Sequence, residues 1–163
     1  MTFQTQSKKQ QIVEAVAVHL LNEGLQNSSL KAMGESVGIS DRMVMYYFDK
    51  KDTLVREALL LIAENLTGWL DKAVPGRNVS GAQLVRTLTD LSKSDSTKPL
   101  QELWFELVGL AIRGDEPYKT VAGMFVEKYE DWIRGKLPTR DKHRAGPIFA
   151  EIEGTILINL LRD

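Results

Sequence analysis

The sequence predicts an all-helical protein, and three observations carry that prediction. Apolar residues recur at three- and four-residue spacing through most of the 163-residue chain. No useful length alternates apolar and polar residues as a half-buried strand does, and no internal repeat is present. Between residues 30 and 54, a short helical pattern stops at Gly38, the turn Gly38-Ile39-Ser40 comes next, and a second short helix opens at once. That succession reads as a helix-turn-helix, whose second helix enters a DNA major groove.

Composition narrows the classes. Hydrophobic residues make up 43% and charged residues 26%, as in a folded domain rather than a disordered chain. Cysteine is absent, which excludes disulfides and thiolate metal sites and allows a cytoplasmic setting. No apolar run approaches the roughly 18–20 residues of a membrane span, and the opening MTFQTQSKKQQ lacks the apolar core of a signal peptide. Net charge is −1 and does not announce nucleic acid. Residues 1–55 are themselves neutral: Lys8, Lys9, Lys31, Arg42, Lys50 and Lys51 balance Glu14, Glu23, Glu35, Asp41, Asp49 and Asp52. A case for DNA rests on where the charges sit.

In chain order, residues 1–7 read as a polar arm, and a first helix covers 8–23, with Ile12, Ala15, Val16, His19 and Leu20 on one face. Gly24 caps it. His19 lies on that apolar stripe, where a structural role outweighs a ligand role. Ser28 or Ser29 can cap the second helix, Leu30–Val37, which points Leu30, Met33 and Val37 inward. Gly34 suits a close helix crossing, and Ile39 plugs the core below the turn. Ser40 caps the third helix, 41–47, and Asp41 suits its positive end. Val44 and Phe48 point inward, leaving Arg42, Met43, Tyr46 and Tyr47 outside. An apolar and aromatic outer face fits a surface awaiting a partner better than a solvated one. Lys50 and Lys51 precede the fourth helix, Lys51–Ala73, at the end where its dipole disfavours cations. Phosphate contact explains them, as does compensation by Asp49 and Asp52, with Asp49 as a possible cap.

The fourth helix carries Leu54, Ala58, Leu61, Ile62, Leu66 and Trp69 as its stripe. Helices over 81–92, 99–113 and 117–134 come next, the last ended by Gly135, with a loop over 92–99. Residues 136–144 are basic and turn-rich, with a possible helical start at Thr139, and Gly146-Pro147 breaks or kinks any helix begun there. A last helix, 147–161, presents Ile148, Phe149, Ile152, Ile156, Leu157 and Leu160, with Gly154 and Thr155 permitting close helix approach. So wide an apolar face suggests burial against helices, including those of a second subunit.

Over residues 12–54 the chain resembles the TetR/AcrR family of bacterial transcription regulators. The matching elements are Ile12-x-x-Ala15 with Leu20-x-x-x-Gly24, Ser29-Leu30-x-x-Met33, and Val37-Gly38-Ile39-Ser40. The most specific is Val44-x-x-Tyr47-Phe48-x-x-Lys51-Asp52-x-Leu54, similar to the family's leucine-tyrosine-x-histidine-phenylalanine element and the lysine-acid start of its fourth helix. Met45 stands at the usual tyrosine, Tyr47 at the frequent histidine, and Arg42 and Met43 at the common small residues.

The resemblance implies a TetR-like fold of about eight helices: a helix-turn-helix DNA-binding domain at 1–52 and a helical regulatory and dimerisation domain at 53–163. It implies a transcriptional repressor that binds a (pseudo)palindromic double-stranded operator as a homodimer. Two copies of the third helix would sit about 34–36 Å apart or wider. A small apolar or amphipathic effector would release it. Carried over by position, Lys51 holds phosphate, and Tyr46 and Tyr47 contact phosphate or sugar. Arg42 reads guanine, Met43 meets a thymine methyl, and Ser29, Lys31 and Ser40 donate to phosphates. Relatives usually carry one more helix, so the last helix here is expected to pair with the seventh or sixth. The aromatic and methionine set of the body, Trp104, Phe105, Met124, Phe125, Tyr129, Trp132 and Phe149, with Trp69, supplies either core or the lining of a ligand pocket.

Nothing in the sequence argues for an enzyme, a cofactor or a metal. His19 and His143 lie far apart, Glu151 and Glu153 point to different helix faces, and neither a Glu-x-x-His pattern nor a glycine-rich phosphate loop occurs. The alternative to a regulated repressor is an architectural DNA-binding protein of the same fold that acts without an inducer.

Overall fold

The protein, described over residues 3–162 by a computed structural model, is all-helical. Among those residues α1 covers Phe3–Glu23, α2 Leu30–Val37, α3 Asp41–Phe48 and α4 Lys51–Ala73. Then come α5 at Gly81–Leu91, α6 at Lys98–Ile112 and α7 at Tyr118–Lys136. A 3₁₀ helix, Thr139–Arg144, leads into α8, Ala145–Leu160.

Three departures from the sequence reading have physical causes. Residues 3–7 of the expected arm are helical; residues 1 and 2 lie outside the described residues. Nothing between Phe3 and Lys8 breaks a helix, and extending a formed helix costs little per residue. Gly135 does not end α7, which runs on to Lys136, where the side chain is buried and donates to the Val74 carbonyl at 2.8 Å. The change from the 3₁₀ helix begun at Thr139 to α8 falls at Ala145 rather than at Gly146-Pro147, and both of those residues lie in the first turn of α8, where a missing N–H leaves no bond unmade.

The chain forms two compact units. One comprises the residues up to Asn65 together with Glu102–Ala122. Its core is Ile12, Val16 and Leu20 of α1, Met33 of α2, Val44 and Phe48 of α3, and Leu54, Val55, Ala58, Leu59 and Ile62 of α4. Leu103 and Leu107 of α6 and Val121 of α7 complete it. His19 is half-buried, and its Nε2 is enclosed without a hydrogen-bond partner.

The other unit comprises Leu66–Gln101 and the chain from Gly123 onward. Here α5 packs on α8, burying Leu84 and Leu88 with Ile148, Phe149 and Ile152. The close approach is made at Gly81, where a Cβ would stand 2.7 Å from Ile148 Cδ1, and not at Gly154, where a Cβ would meet nothing within 4 Å. The α4 stripe drifts by the helical remainder, so Leu70 is buried while Trp69 is 41% exposed. At the end of α8, Leu157, Ile158 and Leu161 remain exposed.

Candidate nucleic-acid interface

The geometry of the α2–α3 pair is set by its caps. Ser29 Oγ accepts from Ala32 N at 3.1 Å and opens α2. Gly38, at φ +74°, closes it, its N–H donating to Glu35 O at 3.1 Å and that of Ile39 to Gly34 O at 3.0 Å. Ser40 Oγ then accepts from Met43 N at 3.2 Å and opens α3. Gly34 is required by the crossing: a Cβ there would lie 2.8 Å from the Ile39 carbonyl oxygen, backbone that cannot step aside. Asp49, expected to cap α4, instead ends α3 at φ +63°, its N–H donating to Met45 O at 2.9 Å. With ψ at −39° this lies outside the left-handed helical region; the next N–H, that of Lys50, donates back to Phe48 O at 2.6 Å and closes a γ-turn around it.

This scaffold sorts the side chains of α3. Val44 and Phe48 are buried, as their spacing predicts. Arg42 is exposed, Met43 is 41% exposed and Tyr46 75%. Tyr47 is half-buried, and its ring meets Tyr46 edge-on at 5.3 Å between centroids. Met45 joins the outer face at 38% exposure. Ser29, Lys31 and Ser40 are exposed and Lys51 is half-buried. Lys31 reaches Glu35 only at 3.8 Å on an open surface, a pair worth little. Among the described residues no ion pair engages Arg42, Lys50 or Lys51. Cations and aromatic rings therefore share the solvent side of a short, capped helix, the residue types that meet phosphates and base edges.

Two further residues brace this head, and neither carries a local signal. Lys9 on α1 donates to Glu57 Oε1 of α4 at 2.7 Å, and its Nζ lies 5.0 Å from the centre of the Phe48 ring. Glu106 on α6 accepts from the backbone N–H of Leu25 at 2.7 Å and of Gln26 at 2.8 Å. In the same unit Tyr118 has its pKa raised, by burial first and then by the charges of Asp52, Glu106 and Asp115.

The residues expected as core or pocket lining divide between the two units. Trp104 and Phe105 lie in the first, both half-buried. Trp69, Met124, Phe125, Tyr129 and Phe149 lie in the second. Of these, Phe125, Tyr129 and Phe149 come together: Tyr129 stacks on Phe125 at 6.0 Å, meets Phe149 at 5.2 Å and stacks on Trp132 at 5.9 Å. Tyr129 is buried, and that burial, with the charge of Glu153, pushes its hydroxyl pKa upward. Met124 and Trp69 are 44% and 41% exposed and stand outside this cluster.

A groove of about 400 Å³ opens elsewhere in the second unit, lined by Asp71, Gly76, Arg77, Trp132, Gly135 and Lys136, so that of the aromatic and methionine set only Trp132 lines it. Its polar groups largely satisfy one another. Trp132 Nε1 and Lys136 Nζ both reach Asp71 Oδ1, each at 2.9 Å, and Lys136 Nζ lies 5.2 Å from the centre of the Trp132 ring. Hydrogen bonds from Lys136 and Trp132 hold the Asp71 carboxyl below its usual pKa. This is a clamp between the end of α4 and the end of α7. Among the described residues no three of His, Cys, Asp and Glu gather as metal ligands, and no helix is long and apolar enough to cross a membrane.

Two short helices set around a capped turn, among longer helices and with no strand in the described residues, define an all-α fold of the TetR-like type. No protein-family model and no curated protein sequence matches the chain. Solved structures match its fold. The multidrug binding protein EbrR, in complex with proflavin, aligns at TM-score 0.72 and 24% identity over 95% of this chain and 89% of its own. A transcriptional regulator from Rhodococcus sp. Rha1 aligns at TM-score 0.72 and 16% identity, over 91% and 81%. A Mesorhizobium loti MAFF303099 protein, described as a TetR-family transcriptional regulator, aligns at TM-score 0.54 and 13% identity over 98% of each chain. The likeness is one of fold, and in each case it covers nine-tenths or more of this chain.

Proposed function

We propose that this protein is a DNA-binding transcriptional regulator that reads its operator through α3. One observation carries the reading: Arg42, Met43, Met45 and Tyr46 face solvent on a helix whose other side is fixed into the core by Val44 and Phe48. Arg42 and Met43 contact base edges, Tyr46, Tyr47 and Lys51 contact the backbone, and Ser29, Lys31 and Ser40 contact phosphates at the helix ends. Residues 1–52 act as the reading head and the remainder as the regulatory and dimerisation body. The protein acts in the cytoplasm as a homodimer, for which the exposed Leu157 and Ile158 of α8, with Leu161 just beyond it, offer apolar surface.

It represses, and a small apolar or amphipathic effector releases it by binding more tightly to the form that does not fit the operator. The complex of EbrR with proflavin supports an effector of that class, with Trp69, Met124, Phe125, Tyr129 and Phe149 of the second unit available to meet it. The self-packed rings around Tyr129 favour a second reading, a regulator of the same fold that acts without an inducer.

Selection from genomic fragments and then gel shift at fixed salt tests the proposal. A recovered palindromic site is expected, its affinity falling steeply with salt. Recovery of no specific sequence would sink it. Adding planar aromatic cations and acids to the shifted complex separates the regulated form from the inducer-free one.

A further inference from the structure

We infer that Glu106, on α6, is a positioning residue of the DNA-reading head; this rests on the function proposed above. The turn from Gly24 to Ser29 sets the direction in which α2, and after it α3, leaves α1. Most of its polar groups find partners within it. Ser28 Oγ donates to Gly24 O, Asn27 Nδ2 to Glu23 O at 3.0 Å and Ser28 N to Leu25 O at 3.2 Å. The N–H groups of Leu25 and Gln26 instead donate to the two carboxylate oxygens of Glu106, about 80 residues along the chain.

A carboxylate that accepts two adjacent backbone N–H groups with separate oxygens fixes both the place and the orientation of that peptide segment. The turn makes room for it. Gly24 holds φ +74°, and a Cβ there would lie 2.8 Å from Glu106 Oε2. Leu25, next in the chain, is buried, and Ser28 is almost wholly enclosed, so the turn is seated on the core at the same point. The open side of a glycine and two donors thus meet the carboxylate at one point. The reading head is completed by a residue of the sixth helix.

The test uses the full chain and a DNA fragment recovered by genomic selection. Glu106→Gln keeps the size of the side chain but replaces one acceptor by a donor facing an N–H group. It is expected to fold with an unchanged circular dichroism spectrum and to lose DNA affinity on the order of tenfold. It is also expected to speed hydrogen exchange at the Leu25 and Gln26 amides selectively. Gly24→Ala is expected to weaken DNA binding in the presence of Glu106, and by less in a Glu106→Ala background, where the clash is gone. Equal DNA affinity of Glu106→Gln and wild type overturns the inference, as does weakened binding with both amides still protected, or strict additivity of the two substitutions. A wild-type protein that retrieves no specific DNA overturns the DNA reading and this inference with it. Failure of the Glu106 role alone leaves wild-type binding intact.

Discussion

Tyr46 and Tyr129 are the same residue with opposite fates. Tyr46 lies on α3, an eight-residue helix, at 75% exposure; Tyr129 lies on α7, a nineteen-residue helix, at 7%. Each has another aromatic residue within four positions in the sequence. On α3 the interior needs only Val44 and Phe48, and one face is left over. On α7 the rings of Phe125, Trp132 and Phe149 pack onto Tyr129. An aromatic stripe therefore says nothing of function until the core's demand on its helix is known. Where two inward residues meet that demand, the remaining rings are free for a partner.

Substitutions put the contrast at risk. Tyr129→Ala should cost about 3–5 kcal/mol of folding stability, as for other buried rings, read as a lowered denaturant midpoint. DNA affinity per folded molecule should stay near wild type. Phe48→Ala should cost a similar amount, about 3–4 kcal/mol, because it empties the head's core and removes the ring beside Lys9. Unlike Tyr129→Ala, it should also abolish the gel shift. Tyr46→Ala should change stability by no more than about 0.5 kcal/mol yet weaken the DNA complex on the order of tenfold. A large stability loss there would erase the contrast between the two tyrosines. Arg42→Ala should leave folding untouched and relax the base preference at one position of the operator by about 1–3 kcal/mol, seen in binding-site selection as a degenerate base.

Proton linkage extends the contrast within the second unit. The Tyr129 hydroxyl has a raised folded pKa, so its stabilising contribution is complete below the unfolded value, about 10, and is lost as pH rises above it. Phe is the control: the alkaline loss should shrink in Tyr129→Phe. The smallest effect belongs to Asp71. Its folded pKa is depressed, so its contribution is present above the unfolded value and fades as pH falls through the folded one. Asp71→Asn should flatten the acid limb of the stability profile slightly, measured by thermal melts between neutral and acid pH.

Legibility in the sequence depends on range. Leu30–Val37 and Lys51–Ala73 stand where the sequence places them, because Ser29, Gly38 and the Lys51-Asp52 start are local signals. The inward pair of α3 and its outer face are also legible, since helical spacing alone separates them. What the sequence hides is tertiary. Lys9 looks like an ordinary solvated lysine until α4 brings Glu57 to it. Trp69 and Met124 read as apolar stripe, yet a stripe position becomes interior only where another helix covers it, and both are two-fifths open. The helical start at Phe3 escapes because periodicity needs apolar residues, and residues 4–8 offer none.

The bonds from Leu25 and Gln26 to Glu106 bear on how proteins of this fold can be recombined. A chimaera joined at residue 52 would inherit the recognition helix, its caps and Lys9 but leave behind the acceptor for two turn amides. The donor part is not a cassette. Its partner body must bring a carboxylate to the same place, or the glycine at position 24 opens onto a gap that water must fill.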